Sequence, residues 1–197
     1  MRTNDSIKFL LIVLTAAVIA NTALSSVIAL QMRDERTSLE GLANNVQKVQ
    51  KALDAEIELR RHLFPQLHKS ARLLQRYNPN LDYATALSYA YKIYECSDET
   101  VGFEILSALI VVESRADHRA VSRRGALGLT QVMPGVWNHD YQTLMNPYNN
   151  IEIGASILKS YIALHGLQGG LSAYKSGSRY AGLEYARKVE KIAQLHF

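Results

Sequence analysis

Glu113 is the side chain whose setting most invites chemistry. Helical spacing aligns it with Leu106, Leu109 and Ile110, so it closes the apolar face of a helix. A carboxyl on such a face is desolvated, and desolvation favours the protonated form that a general acid needs near neutral pH. The plainer alternative is a carboxylate paired with Arg115 or Arg119, or one that reaches solvent at a helix end. Asp117 is the nearest second carboxylate, at a spacing compatible with proximity. Other chemistries lack their residues. The 6 histidines include no His-Glu-x-x-His and no pair at i, i+4, so a zinc hydrolase site is missing. One cysteine, Cys96, excludes an intrachain disulfide and a cysteine-based zinc site. Ser176 lies in Lys175-Ser176-Gly177 rather than in a Gly-x-Ser-x-Gly elbow. The glycines of 125–128 do not make a phosphate loop. Trp137 is the single tryptophan and reads as a core or rim anchor, with sugar stacking as the alternative.

Four segments follow one another in order: Glu113-Ser114, then Gly128-Leu129-Thr130-Gln131, then Ala173-Tyr174-Lys175-Ser176-Gly177, then Tyr185 ahead of Lys188-Val189. Any one of them is weak, but the ordered set resembles the soluble lytic transglycosylase domain, a member of the lysozyme-like superfamily. The family's own motifs are Glu-Ser, Gly-Leu-Met-Gln, Ala-Tyr-Asn-Ala-Gly and a late Tyr before Lys-Val, and here they cover residues 83–197. The resemblance implies that Glu113 is the single catalytic acid and base. It implies that Ser114 and Ser122 help hold substrate, that Gly128, Leu129 and Gln131 line a groove, and that Tyr174 and Tyr185 border the site. It implies cleavage of the β-1,4 bond between N-acetylmuramic acid and N-acetylglucosamine in peptidoglycan, leaving a 1,6-anhydromuramic end, with no metal and no cofactor. The departures are Thr130 for methionine, Lys175-Ser176 for Asn-Ala, and a short segment from Trp137 to Asn146. Two other readings stay open: a hydrolytic muramidase using Asp117, where the family has a non-catalytic asparagine, and a weakly active wall-binding module of a secretion or phage-entry assembly.

The elements that must position these residues are helical. With 48% hydrophobic and 20% charged residues, the chain has the composition of a globular protein rather than a disordered one. Only 4 prolines and 11 glycines argue against a turn-rich β architecture. A net charge of +4 favours an anionic partner; the resemblance selects the wall over nucleic acid. Tyr83, Leu87, Tyr91 and Tyr94 repeat at helical spacing, Phe103–Val112 is nearly all apolar, and Ile151–Leu164 carries Ile153, Ile157, Leu158 and Tyr161 on one side.

The fold class expected is mainly α: a lysozyme-like helical domain over 77–197, preceded by a transmembrane segment over 1–30 and a helical stalk over 31–76. Residues 7–30 carry no charge after Lys8 and match the length of about 20 residues that a spanning helix needs. A secretory signal is the alternative. The expected placement is therefore membrane-anchored, with the catalytic domain on the periplasmic or extracytoplasmic side, or virion-associated if the chain is phage-encoded. Leu39, Leu42, Val46, Val49 and Leu53 follow a 3-4-3-4 spacing, two heptads of a seam, which predicts self-association through 39–53. Pro65 should kink or end this helix. Tyr77-Asn78-Pro79-Asn80 marks the boundary, with the apolar helices that build a core placed after it.

Overall fold

A computed structural model describes the backbone of residues 2–197 and the side chains of residues 14, 15 and 17–197. Seven helices follow in order among the described residues: α1 (Arg2–Tyr77), α2 (Tyr83–Glu95), α3 (Phe103–Ser114), α4 (Pro134–Trp137), α5 (Tyr141–Met145), α6 (Pro147–Ser176) and α7 (Leu183–His196). The chain divides into two compact units, one ending at Leu59 and one spanning Arg60–Phe197. The architecture is all-helical, as the composition predicts, and is consistent with a lysozyme-like domain.

The first unit is helical, and in it Leu39, Leu42, Val46, Val49 and Leu53 are exposed. The expected transmembrane helix is not found: among the described residues no helix is long and apolar enough to cross a membrane. The side chains of Ile7–Val13, the most apolar part of that expectation, lie outside the described residues. The remaining part is diluted by Asn21, Thr22, Ser25 and Ser26. Thr22 and Ser26 turn their hydroxyls back onto the carbonyls of Ile19 and Thr22, at 2.8 Å each. The transmembrane segment, the membrane as a partner through residues 7–30 and the membrane-anchored placement are all withdrawn with it.

In the second unit, α1 runs through Pro65 instead of stopping there. Proline removes one helical hydrogen bond, but the next turns are held from outside the helix. Leu67, Ala71, Leu73 and Leu74 are buried in the main core, and Ser70 Oγ lies 2.9 Å from Ser107 Oγ of α3. Core-forming residues therefore precede Tyr77 as well as follow it. Helix α3 is the centre of that core, with Leu106, Leu109 and Ile110 fully buried. It packs on α2 and α7, and α7 packs in turn on α6.

Helix α6 starts at Asn146, whose Oδ1 accepts from the backbone N–H groups of Tyr148 and Asn149, an N-cap with Pro147 as the first helical residue. It is interrupted at Gly166, with φ 70° and ψ 175°, a region that only glycine enters readily. The break leaves a C-terminal arm that carries Ala173–Ser176. A smaller cluster of Leu127, Val132, Leu144 and Ile157, flanked by Trp137, Ile153 and Tyr161, forms beside the main core.

Candidate active site

Where α3 stops decides where Glu113 points. The helix ends after Ser114 because Arg115 and Ala116 both take left-handed backbone angles, φ 57° and 61°. Neither is glycine, so the turn costs about 1–2 kcal/mol per residue, and neighbouring contacts offset it. Arg115 N–H donates to the Val111 carbonyl at 3.0 Å, and the Ala116 carbonyl accepts from Asn78 Nδ2 at 3.1 Å. Glu113 is thus held in the last turn of a buried helix, and its side chain is only 6% exposed. Asp117 is used locally, since its Oδ1 accepts the Arg119 N–H at 2.9 Å.

The glycine-punctuated segment forms two tight turns. Ser122 closes the first: its Oγ accepts the Ala126 N–H at 2.9 Å around Gly125, which has φ 84°. In the second, Leu127 and Val132 exchange backbone hydrogen bonds across Gly128 (φ 73°) and Gln131 (φ 54°). Gln131 Nε2 pins the turn by donating to the carbonyls of Ala120 and Gly128, at 3.1 and 3.0 Å. Asn150 of α6 holds it from beneath. Its Nδ2 donates to Leu127 and Leu144 carbonyls at 2.9 Å each, and its Oδ1 accepts the Thr130 N–H at 2.8 Å. A Cβ on Gly128 would stand 2.4 Å from that Nδ2, so the glycine admits the asparagine amide. Thr130 completes the junction, its carbonyl accepting from Tyr174 OH at 2.7 Å.

These elements enclose a cleft of about 560 Å³. Glu113, Ser122, Gln131 and Tyr174 line it, as do Lys175 and Ser176 of the last turn of α6. Ser114, Gly128 and Leu129 are buried and do not line it; Ser114 Oγ donates to the Ile110 carbonyl at 3.1 Å. Tyr185 comes up from α7. Its hydroxyl is buried near Glu113 and makes no hydrogen bond of good geometry. Burial, and then the charge of Glu113, hold both the Tyr185 and Tyr174 hydroxyls well above the usual tyrosine range, so both remain protonated. Lys175 Nζ lies 3.5 Å from Glu113 Oε2 and 5.3 Å from the centroid of the Tyr185 ring.

Arg123, Arg124, Met133 and Tyr161 also line the cleft, and sequence reasoning did not single them out for the site. The paired arginines just before Gly125 were a readable signal. Tyr161 was not, because its spacing places it with the apolar stripe of α6; its ring in fact meets that of Trp137 edge-on, with centroids 6.0 Å apart. Among the described residues no group of His, Cys, Asp and Glu is gathered for a metal ion.

The arrangement is a groove with one buried carboxyl, a cationic wall and two lining tyrosines, Tyr161 and Tyr174; Tyr185 does not line it, and its hydroxyl lies buried near Glu113. Such a site can pass a proton to and from a bound polymer. No curated protein matches the chain. A family model does, the transglycosylase SLT domain, over residues 90–194, which contain every lining residue of the cleft. With more than half of its length matched, and with α3 to α6 and the cleft falling inside that match, the chain belongs to the transglycosylase SLT family.

Proposed function

We propose that this protein cleaves peptidoglycan as a lytic transglycosylase, with Glu113 serving as both acid and base. One observation carries the reading: among the described residues, Glu113 is the only carboxylate that lines the cleft. Hydrolytic glycosidases ordinarily place two carboxylates about the scissile bond, and Asp117 is spent on the Arg119 backbone instead. A single carboxyl suffices where the substrate supplies its own nucleophile. Protonated Glu113 gives its proton to the glycosidic oxygen as the C1–O4 bond breaks. The resulting carboxylate then takes the proton of the muramic acid C6 hydroxyl while O6 bonds to C1. The proton returns to Glu113, no water is consumed, and the product ends in a 1,6-anhydro ring.

Tyr185 supports the same reading, since a hydroxyl kept protonated near Glu113 can donate to whichever oxygen carries charge. Gln131 and Ser122 are assigned to the groove wall, with Tyr174 on its floor. Ser114, Gly128 and Leu129 support the groove from behind. The Lys175–Glu113 pair is the observation that favours the weaker alternative, a wall-binding module with little activity.

Glu113→Gln separates the readings. The amide keeps the shape of the carboxyl but cannot exchange a proton, and general acid–base assistance is worth roughly 10²–10⁴-fold. Clearing of purified peptidoglycan should fall by at least that factor while the thermal transition is retained. Retention of most of the activity by the variant would remove Glu113 from the mechanism.

A further inference from the structure

Lys175 and Glu113 sit in the last turns of two different helices, α6 and α3. Helix C-termini carry partial negative charge, which suits a lysine and opposes a glutamate. The lysine ammonium resolves that conflict by lying beside Glu113 Oε2 and over the Tyr185 ring. The contact is nevertheless loose. At 3.5 Å it is longer than a well-formed ammonium–carboxylate bond of about 2.8 Å, and the lysine side chain is 51% exposed. It also engages one of the two carboxyl oxygens through which Glu113 would act on a glycosidic oxygen.

The rest of the cleft wall shows what could draw the lysine away. Arg123 and Arg124 line the same cleft, so three cations face it against the one acid among the described lining residues. A cleft lined by one sign of charge concentrates ligands of the other sign. A neutral sugar chain offers three cations hydrogen-bond acceptors but no counter-charge; a carboxylate supplies the charge, and arginine can donate two parallel hydrogen bonds to it.

We propose that Lys175 is a specificity-determining residue: with Arg123 and Arg124 it binds a carboxylate carried by the glycan, and in doing so it frees Glu113 Oε2 for the glycosidic oxygen. Glycans with free carboxylates are then cut in preference to the same glycans with those groups neutralised. This rests on the assignment of Glu113 as the acid. The carboxylate has two sources in the wall polymer, the peptide stems and the lactyl group left bare when stems are removed.

The test uses the full chain and two substrates, stem-bearing peptidoglycan and glycan stripped of stems by an amidase. Each is offered in native form and after carbodiimide coupling to neutral methylamides. The wild type should prefer native over neutralised glycan by about tenfold in kcat/KM, the scale of one charged hydrogen bond, with KM raised by the lost ion pair and kcat lowered because Lys175 stays on Oε2. A preference confined to stem-bearing material identifies the stems as the source, and one that persists on stripped glycan identifies the lactyl carboxylate. Lys175→Gln should lose the preference and cut the neutralised glycan faster than the wild type does, because nothing then engages Oε2. Lys175→Arg should keep the preference. Equal cleavage of both forms by the wild type, or an undiminished preference in Lys175→Gln, overturns the proposal. Cleavage of neither form by the wild type removes the Glu113 assignment, and this inference with it.

Discussion

Tyr185 buries a hydroxyl near Glu113 without a well-formed hydrogen bond, and a buried polar group in that state costs about 1–3 kcal/mol. Removing it should therefore separate function from stability. Tyr185→Phe is expected to melt no lower than the wild type, and at a higher temperature if the lost hydroxyl was a net cost. Its kcat should fall by roughly 10–10²-fold if, as proposed, this hydroxyl donates to the oxygens that gain charge in the reaction; calorimetry and a peptidoglycan-clearing assay on the same sample read both. At this scale part of the site was legible in the sequence. The position of Glu113 follows from helical period alone, since Leu106, Leu109 and Ile110 fix which face it shares. The contact between Lys175 and Glu113 was not legible, because 62 residues separate them and only the packing of α3 and α6 around α7 brings them together. The resemblance implies that Gly128 lines the groove; it is buried instead, and the group it admits is the amide of Asn150.

The turn carrying Gln131 has no regular strand to hold it, only isolated bridges of Leu127 with Val121 and Val132. Asn150 replaces that support, with four polar neighbours bonded in a buried setting. Asn150→Ala should destabilise the protein by about 3 kcal/mol or more, since several buried groups lose their partners together. Activity measured well below the melting temperature should fall as well, because the same turn forms one wall of the cleft. A variant with wild-type stability would show that solvent or a shifted backbone replaces the amide. The apolar helices were readable from composition, as Phe103–Val112 shows. Breaks and continuations were not. Gly166 interrupts α6 through its own backbone angles, while Pro65 fails to interrupt α1 because Leu67, Ala71 and Leu74 anchor the turns beyond it. Such outcomes depend on tertiary contacts that local propensity does not contain.

At the scale of the molecule, the family match begins at residue 90, yet the core begins earlier. Leu67, Leu73 and Leu74 are nearly or fully buried, and at about 2 kcal/mol each they approach the whole net stability of a small domain, about 5–15 kcal/mol. A fragment of residues 60–197 should unfold in one cooperative transition, whereas 83–197 should melt far lower or show no transition. Equal melting of the two fragments would return the end of α1 to the role of a stalk. The sequence placed the boundary at Tyr77-Asn78-Pro79-Asn80 because the turn there is local and obvious; the burial of the preceding turns becomes visible only once α3 lies against them. The claim that joins all these levels is that one carboxyl cuts the glycan using the sugar's own hydroxyl. Mass spectrometry of the muramic ends released by the wild-type protein tests it most directly. Ends lighter by one water than hydrolysed ends, and absent from a Glu113→Gln digest, are the predicted result. Reducing ends as the main product would mean that a water is activated in the cleft, and would contradict the single-carboxylate mechanism.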